Sequence, residues 1–358
     1  MLAYCGHEGS KVTLEFMPTM KLTRWLIAAT LVVLSGIGSL IWFDRAGMPQ
    51  SPAAAARPLD REAAEPITPL PQFVQLDPKK VALGRRLFHE AKLSADGSIS
   101  CASCHDLARG GVDRRPRSLG IGGREGSLNA PTVFNSGFNF RQFWDGRAEA
   151  LEDQVDGPLQ HPAEMGATWP QALAFLSADA AYRKEFGELF RDGVSAANVR
   201  DAIATFERSL ATPNSRFDRF LRGEAAALSE TERAGYKLFK HIGCTSCHQG
   251  VNIGGNSYQR LGVLEDYFAA RGQVTEADLG RFNITRREED RYLFKVPALR
   301  NIALTAPYLH DGSAKTLQDV VAIMARYQLN LKLNDGDVDK IVAFLRTLTG
   351  EYQGRLLE

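Results

Sequence analysis

The chain has 358 residues, which is enough for two domains that each bury a core of their own. Hydrophobic residues make up 44% and charged residues 24%, with a formal net charge of +1. This composition is that of an ordinary globular protein, and it lacks the basic excess typical of nucleic-acid-binding domains. We therefore expect no nucleic-acid partner.

The first unusual feature in chain order is an apolar run at residues 25–43, which carries no charge and follows Lys21 and Arg24. The run is long enough to span a bilayer, which predicts an uncleaved membrane anchor. The alternative is the apolar core of a secretory signal that is cleaved near the alanines at 53–56. Both alternatives leave the N-terminus in the cytoplasm and export the rest of the chain.

The segments around this run are short. Residues 1–24 form a start region, in which Met20 is an alternative to Met1 as the first residue. Residues 44–72 are rich in Pro and Ala and are predicted to be a linker. If the apolar run stays uncleaved, this linker ties the remaining chain to the membrane.

Four of the five cysteines fall into two copies of the pattern C-x-x-C-H. The copies are Cys101, Cys104 and His105, and Cys244, Cys247 and His248. In this pattern two thiols bond the vinyl groups of a porphyrin, and the adjacent imidazole becomes the proximal iron ligand. A zinc site or a redox disulfide is the alternative. The immediate histidine in both copies, together with export, favours two covalently bound c-type haems.

Similar sequences precede the two copies, "GRRLF" at 84–88 and "GYKLF" at 235–239, and each predicts a helix that leads to its haem motif. The copies lie about one domain length apart. We therefore predict an all-α protein of two cytochrome c-like domains, residues 73–222 and 223–358, each around one covalently bound haem.

The second half offers a ligand for the other face of its iron. Leu317, Val320, Val321 and Met324 follow the spacing of one apolar helix face, and a further apolar helix covers 338–348. A methionine on such a face is either core packing or an iron ligand. Ligation by histidine and methionine closes an iron to substrates and raises its potential, as an electron relay requires.

The first half offers no such partner close to its motif. After His105 the next histidine is His161 and the next methionine is Met165. The spacing therefore leaves one face of the first iron without an evident ligand.

Beyond the haem motifs, the chain resembles the bacterial dihaem cytochrome c peroxidases over roughly residues 70–350. The resemblance rests on "GGVDRR", "NAPTVFNSGFNFRQFWDGRAEALEDQ", "EMG", "FKVPALRNIALTAPYLHDGS" and "MARYQL". It implies that the N-terminal haem is the site of hydrogen peroxide reduction. It also implies that the C-terminal haem receives electrons from a small donor, a cytochrome c or a cupredoxin, and that the protein is a homodimer.

The resemblance implies roles for single residues. Met324 matches the distal ligand of the electron-transfer haem, Glu164 the catalytic carboxylate, Gln154 its neighbouring amide, and Trp144 a tryptophan between the haems. A carboxylate in a partly apolar pocket can take a proton from peroxide and return it to the departing oxygen. Each residue also has a simpler interpretation. Glu164 could be a solvated loop carboxylate, Gln154 a polar residue on a helix surface, and Trp144 a core residue.

The resemblance further implies a calcium site at the domain interface. Its ligands would be Asn129 and the backbone carbonyls of Thr305 and Pro307, all oxygen donors of the kind that Ca²⁺ prefers. His310 is expected either to support a haem propionate or the interface, or to be a structural histidine.

One departure from the family pattern concerns activation. Many members carry a histidine in the glycine-rich loop after the first motif, which caps the peroxidatic iron until the other haem is reduced. In this chain Ile121 occupies that position. His161 is an alternative cap, but it would compete with Glu164 for the same pocket. We expect the first haem to be accessible in the oxidised protein.

Two further functions stay open. A dihaem oxidase could modify tryptophans of a partner protein through a ferryl state, as the methylamine dehydrogenase maturation enzyme does. That enzyme uses a tyrosine on its second haem, and Tyr327 lies about one turn from Met324. A non-enzymatic electron carrier would need a protein ligand on each of the two faces of both haem irons.

Overall fold

The structure, a computed structural model, describes residues 65–358, and these fall within one compact unit. The predicted start region, the apolar run at 25–43 and most of the predicted linker lie outside the described residues. Within 65–358, no helix combines the length and the apolar character that crossing a membrane requires.

Thirteen α-helices dominate the described part of the chain. The first eight are α1 Pro78–Phe88, α2 Cys101–Cys104, α3 Leu151–Gln154, α4 Asp156–Gln160, α5 Trp169–Ala178, α6 Ala180–Leu189, α7 Ala196–Ser209 and α8 Arg216–Leu221. The others are α9 Glu230–His241, α10 Tyr267–Arg271, α11 Phe282–Thr285, α12 Leu317–Leu329 and α13 Asp335–Arg346.

The strands are short and were not predicted. Strand β1 (Tyr258–Arg260) pairs antiparallel with β2 (Leu293–Lys295), and β3 (Glu351–Tyr352) pairs antiparallel with β4 (Arg355–Leu356). These two small sheets do not alter the class of the fold. The helix-rich architecture, with only these two small sheets among the described residues, confirms the predicted all-α class.

The helices that precede the haem motifs begin at residues with clear start signals. Asp77 accepts hydrogen bonds from the first backbone amides of α1, and Pro78 lies in its first turn. Ser229 and Glu232 cap α9 reciprocally, because each side chain accepts a hydrogen bond from the backbone amide of the other. Both predicted helices are thereby confirmed.

Each of these helices crosses the last long helix of its own half at a glycine. A Cβ atom on Gly84 of α1 would lie 1.9 Å from the carbonyl oxygen of Ala202 in α7. A Cβ atom on Gly235 of α9 would lie 1.9 Å from the carbonyl oxygen of Lys340 in α13. Only glycine allows the two backbones to approach this closely. The glycines of "GRRLF" and "GYKLF" therefore set the same helix crossing in both halves.

Parts of the chain near the predicted boundaries pack on the C-terminal core. Ile67, which lies in the predicted linker, is 1% exposed and belongs to the apolar cluster of the C-terminal half. Arg300 donates a hydrogen bond from Nη2 to the carbonyl oxygen of Thr68, 3.1 Å away. Phe217 of α8 packs edge-on against Phe344 of α13, with ring centroids 5.0 Å apart. The packed chain thus begins before residue 73, and α8 lies against the C-terminal half.

Candidate haem sites

The histidines of both C-x-x-C-H motifs are held in the same way. Nδ1 of His105 lies 3.3 Å from the carbonyl oxygen of Gly111, and Nδ1 of His248 lies 3.2 Å from that of Ile253. A backbone acceptor on Nδ1 leaves Nε2 free to bind a metal. Burial lowers the pKa of both imidazoles, that of His248 to about 4, so both stay in the neutral form that ligates iron.

The four motif cysteines form no disulfide. Burial raises the pKa of Cys101 and of Cys244 to about 12, which keeps these two protonated. Within 65–358, neither motif brings three cysteine, histidine or acidic ligand atoms together as a metal site needs. This geometry does not support the zinc alternative. Thiols beside a neutral imidazole at a cavity wall instead fit a covalently attached haem.

The N-terminal cavity brings together the motif and two predicted catalytic residues. Its lining comprises Leu93, Ile99, Ser100, Cys101, Cys104, His105, Gln154, Val155, Pro158, Leu159, Glu164, Met165, Ile203 and Glu207. Gln154 lies at the end of α3, and Glu164 lies in the loop that follows α4. Residues from three separate segments therefore meet at the first haem site.

The Glu164 carboxyl is partly enclosed in this cavity, with 40% of the side chain exposed. Its Oε1 lies 3.6 Å from Nδ1 of His161, which is itself 48% exposed and is not part of the cavity lining. Desolvation raises the pKa of Glu164, and the positive charges of His161 and Arg147 oppose this effect. A raised pKa suits a carboxyl that must hold a proton near neutral pH.

The loop that carries Ile121 is tied to the Glu164 segment. The backbone amide of Ile121 donates to the carbonyl oxygen of Glu164 at 2.9 Å. The Ile121 side chain packs over Gly166, where an added Cβ would lie 2.4 Å from Ile121 Cδ1. Ile121 is not among the residues that line the cavity. Its side chain therefore packs on the segment that carries Glu164 and is not part of the wall of the first cavity.

Glu207 is a cavity residue that the sequence analysis missed. It lies on α7, is 5% exposed, and its Oε2 has no hydrogen-bond partner. Burial raises its pKa to about 8. The signal in the sequence was a carboxylate on the buried face of an amphipathic helix, four residues after Ile203.

Met165 lines the same cavity, so the first half does place a methionine near its motif. Its side chain is 4% exposed and belongs to the apolar cluster around Leu93, Val155 and Leu159. Packing in that cluster accounts for its burial.

The C-terminal cavity is lined by its own motif and by Met324 of α12. The lining continues with apolar residues of the closing helices, among them Leu317, Val320, Val321, Ile341 and Leu345. Tyr327 is not part of this lining. It is 9% exposed and packs edge-on against Tyr267, with ring centroids 5.1 Å apart. The structure brings Met324, and not Tyr327, to the second haem site.

Trp144 connects the two halves. It lies in the N-terminal half of the chain but lines the C-terminal cavity. Its Nε1 donates to the carbonyl oxygen of Asn129 at 2.8 Å, and its own carbonyl accepts from the backbone amide of Lys295 at 2.7 Å. The ring lies edge-on to His310, with centroids 6.4 Å apart. These contacts fix the indole between the two halves.

The three residues expected to bind calcium line the same cavity as Trp144. Nδ2 of Asn129 donates to the carbonyl oxygen of Arg115 at 2.8 Å, and no described residue donates to its Oδ1. The Asn129 backbone amide donates to the carbonyl oxygen of His310 at 2.8 Å. The amide oxygen is thereby left for a further partner, alongside the carbonyl groups of Thr305 and Pro307.

His310 is engaged by a buried acid. Its Nε2 lies 2.7 Å from Oδ1 of Asp278, and both side chains are at most 2% exposed. Burial alone would raise the pKa of Asp278, but hydrogen bonds from Arg271, Thr275 and His310 outweigh it and hold that pKa well below its usual range. Arg271 also binds Asp311 at 2.8 Å. The guanidinium pairs with both carboxylates, so the group is an ion-pair network.

Lys295 is the second cavity residue that the sequence analysis missed. It is 7% exposed, lines the C-terminal cavity, and makes no hydrogen bond or ion pair through its ammonium group within the described chain. Burial lowers its pKa to about 8. No Asp or Glu of residues 65–358 lines this cavity.

Two cavities, each lined by a C-x-x-C-H motif whose imidazole keeps Nε2 free, define a c-type cytochrome with two haems. Similarity to known protein families narrows this class of protein. A family model described as "Di-haem cytochrome c peroxidase" matches residues 78–226, and one described as "Cytochrome c" matches residues 232–349. The chain belongs to the dihaem cytochrome c peroxidase family, whose members are oxidoreductases that use peroxide.

Known relatives carry matching names. "Cytochrome c peroxidase Ccp" of Escherichia coli is 50% identical over 80% of this chain and 62% of that protein. "Cytochrome c551 peroxidase" of Nitrosomonas europaea is 45% identical over 81% and 85%, respectively. "Methylamine utilization protein MauG" of Methylorubrum extorquens is more distant, 31% identical over 79% and 82%. The chain thus spans less than two thirds of the Escherichia coli relative.

A solved structure is similar in fold. It is the crystal structure of a MauG-like protein associated with microbial copper homeostasis, with a TM-score of 0.69 and 31% identity. The match covers 83% of this chain and 96% of that one. It supports the fold described above and the relation to MauG-like proteins.

Proposed function

We propose that this protein reduces hydrogen peroxide to water with electrons from a small donor, a cytochrome c or a cupredoxin. The N-terminal haem is the peroxide site and the C-terminal haem is the electron entry. The observation that carries the proposal is the asymmetry of the two cavities. Gln154 and Glu164 stand beside the first motif, whereas Met324 stands beside the second.

Each cavity has the residues to hold its haem. Cys101 and Cys104 would bond the first porphyrin and His105 would ligate its iron, while Cys244, Cys247, His248 and Met324 would hold the second. Bound haem would pass to peroxide the electrons that the donor provides. Held by both His248 and Met324, the second haem would be closed to substrates and suited to electron transfer.

The chain's own residues then manage protons at the first site. The Glu164 carboxylate takes a proton from one oxygen of hydrogen peroxide and returns it to the other, so that the departing oxygen leaves as water. The amide of Gln154 hydrogen-bonds the peroxide and orients it toward Glu164. Trp144, packed between the halves, provides an aromatic group on the route from the second site to the first.

A calcium ion at the interface would stabilise this route. The free amide oxygen of Asn129 and the carbonyl oxygens of Thr305 and Pro307 form a donor set suited to Ca²⁺. Asn129 also accepts the hydrogen bond from the Trp144 indole. An ion bound there would hold Asn129 and Trp144, which belong to the N-terminal half, against the loop of the C-terminal half that carries Thr305 and Pro307.

The wider setting follows from the same proposal. We infer that the domains divide between residues 222 and 223, a few residues before the gap between the family matches at 78–226 and 232–349. The enzyme acts in the periplasm as a homodimer. Residues 25–43 either anchor it in the inner membrane or direct its export before cleavage.

Substitution of Glu164→Gln tests the catalytic assignment. We expect peroxide turnover to fall at least about 100-fold, because amide cannot exchange the proton, while both haems stay attached. Steady-state turnover with a reduced cytochrome donor measures this, and the haem absorbance confirms loading. The matched control is Glu188→Gln on the surface of α6, which should leave turnover unchanged. Normal turnover in Glu164→Gln would remove this carboxyl from the reaction.

The open first site has its own test. An electron paramagnetic resonance spectrum of the fully oxidised protein should contain a high-spin signal from the first haem, since Ile121 supplies no ligand. Met165→Leu should leave the spectrum unchanged if Met165 only packs. Two low-spin signals in the parent, with one converted to high spin by Met165→Leu, would favour the non-enzymatic electron carrier.

The oxidase alternative rests on the relation to MauG. Its discriminating feature would be a tyrosine ligand at the second site, and Tyr327 packs against Tyr267 outside the cavity lining. We therefore favour the peroxidase.

A further inference from the structure

The two halves can be aligned position by position through their glycine crossings. In the first half, Gly84 lies against the carbonyl of Ala202 and the Cβ of Phe206, both on α7. In the second half, Gly235 lies against the carbonyl of Lys340 and the Cβ of Phe344, both on α13. The two contacts are four residues apart in each helix. Residue 206 therefore corresponds to 344, and the next residue, 207, corresponds to 345.

This alignment also matches the residues that face the haem cavities. Ile203 and Glu207 of α7 line the first cavity, and Ile341 and Leu345 of α13 line the second. Each pair is spaced by four residues, so both members lie on one helix face. The corresponding faces are alike except at one position. Where the electron-entry cavity has the apolar Leu345, the peroxide cavity has a carboxylic acid.

The Glu207 carboxyl has no protein partner that would explain its presence. Its Oε2 is fully buried and accepts no hydrogen bond. The adjacent Arg208 instead forms a two-point pair with Glu152 of α3, with distances of 2.7 and 2.8 Å. Lys80 of α1 likewise binds Asp201 and not Glu207.

The titratable groups that share the cavity with Glu207 are the motif itself and Glu164. A buried carboxyl without a partner is costly compared with a packed leucine. Such a local violation is expected where a residue serves the reaction. Burial raises the pKa of Glu207 to about 8, so the group is protonated in neutral solution and has a proton to give.

The proposed reaction needs such a group. Each hydrogen peroxide takes up two electrons and two protons to give two molecules of water. Glu164 only moves a proton from one oxygen to the other, so the two consumed protons must enter the cavity from elsewhere. Electrons arrive from the second half, but no residue assigned so far delivers protons.

We propose that Glu207 is a second proton-carrying carboxyl of the peroxide site, which supplies a proton consumed in peroxide reduction and is then reprotonated from solvent. The inference rests on the proposed function of the first haem. In each transfer the Glu207 O–H bond breaks, an O–H bond of product water forms directly or through water in the cavity, and the electrons come from the donor. One proton returns to Glu207 for each proton it gives, so the residue is unchanged after turnover.

Two variants of the full-length dihaem protein test this role. Glu207→Leu copies the second cavity, and Glu207→Gln keeps the size of the side chain but cannot release a proton. We expect turnover to fall at least tenfold in both, with a larger solvent deuterium isotope effect on kcat than in the parent. Glu188→Gln controls for loss of a surface carboxylate. Parent-like turnover and isotope effect in both variants would overturn the proposal.

A second readout does not depend on peroxide. When the first haem gains an electron, a nearby buried carboxyl binds protons more tightly. The midpoint potential of the first haem should therefore fall with rising pH near pH 8. The limiting slope is a tenfold change in the equilibrium constant for reduction per pH unit, which is 59 mV. Glu207→Leu should flatten this dependence. An unchanged slope would overturn the inference even if the parent reduces peroxide. A flattened slope in a protein that does not turn over peroxide would support proton coupling while rejecting the proposed function.

Discussion

The two halves of the molecule build their haem cavities on the same helix crossing but line them with different chemistry. The first cavity contains two carboxyls, Glu164 and Glu207, and the amide of Gln154. The second contains Met324 and two buried cations, of which Arg300 is paired with Asp218 and Lys295 has no partner, and no described acidic residue lines it. The shared crossing places a haem motif in each half, and a few residues on the surrounding segments decide what each haem can do.

This difference follows the needs of the two proposed reactions. A peroxide site must supply and move protons, and carboxyls with raised pKa values can do so near neutral pH. An electron-entry site must exclude substrate and favour the reduced state. A sulfur ligand and a nearby positive charge both raise the midpoint potential of the haem, because reduction adds negative charge.

The largest effect is expected at the feature that the halves share. Gly84→Ala and Gly235→Ala should each lower the free energy of unfolding by about 2 to 3 kcal/mol or more, because the new methyl group overlaps a carbonyl oxygen of the crossing helix. Urea unfolding of the haem-loaded protein measures both. Equal losses would confirm that the two crossings are equivalent, and a loss in one half only would break the comparison.

The matched control is Gly187→Ala in α6, where nothing lies within 4 Å of the added Cβ. It should stabilise the protein by about 1 kcal/mol, since alanine is the better helix former. Destabilisation by this control would mean that the cost at the crossings is not steric.

The next effect concerns the ligand that separates the cavities. Met324→His should lower the midpoint potential of the second haem by on the order of 0.1 V, because imidazole stabilises the oxidised iron more than thioether does. A redox titration followed by absorbance measures it. Val320→Ala, on the same cavity wall but without a ligand atom, controls for altered packing. An unaltered spectrum in Met324→His would exclude ligation by Met324.

The smallest effect is expected at Lys295. Lys295→Met keeps the approximate length of the side chain but removes the charge. The equilibrium constant for reduction of the second haem should fall by up to about tenfold, which lowers its midpoint potential by up to about 59 mV. Lys332→Met, at an exposed position of the same half, should change the potential far less because solvent screens its charge. Equal shifts in the two variants would show that Lys295 has no special effect on the second haem.

Much of the fold could be predicted because its signals are local. The apolar spacing around Met324 and the start signals before α9 concern residues within one or two turns of each other. The short strands β1 and β2 could not be predicted in this way. Their pairing joins Tyr258 to Lys295 across the whole segment between them, and strands of three residues carry little periodicity.

The site residues likewise fall into those that the sequence identifies and those that only the packing reveals. Glu164, Gln154 and Met324 were identified through a resemblance in sequence, and the structure places each at the expected cavity. Glu207 and Lys295 were missed because each is an ordinary charged residue within its own helix or strand. Their significance lies in burial without a partner, which depends on what surrounds them.

The sequence by itself determined the number of haem motifs, the helices that lead to them and the family to which the chain belongs, because covalent attachment and helix formation depend on short spacings. Only the tertiary structure decided which side chains face each cavity. It brings Met324 and not Tyr327 to the second cavity, packs Ile121 against Gly166 outside the lining of the first, and places Glu207 where its counterpart is Leu345. Those outcomes depend on how distant segments pack, and packing is a property of the whole fold.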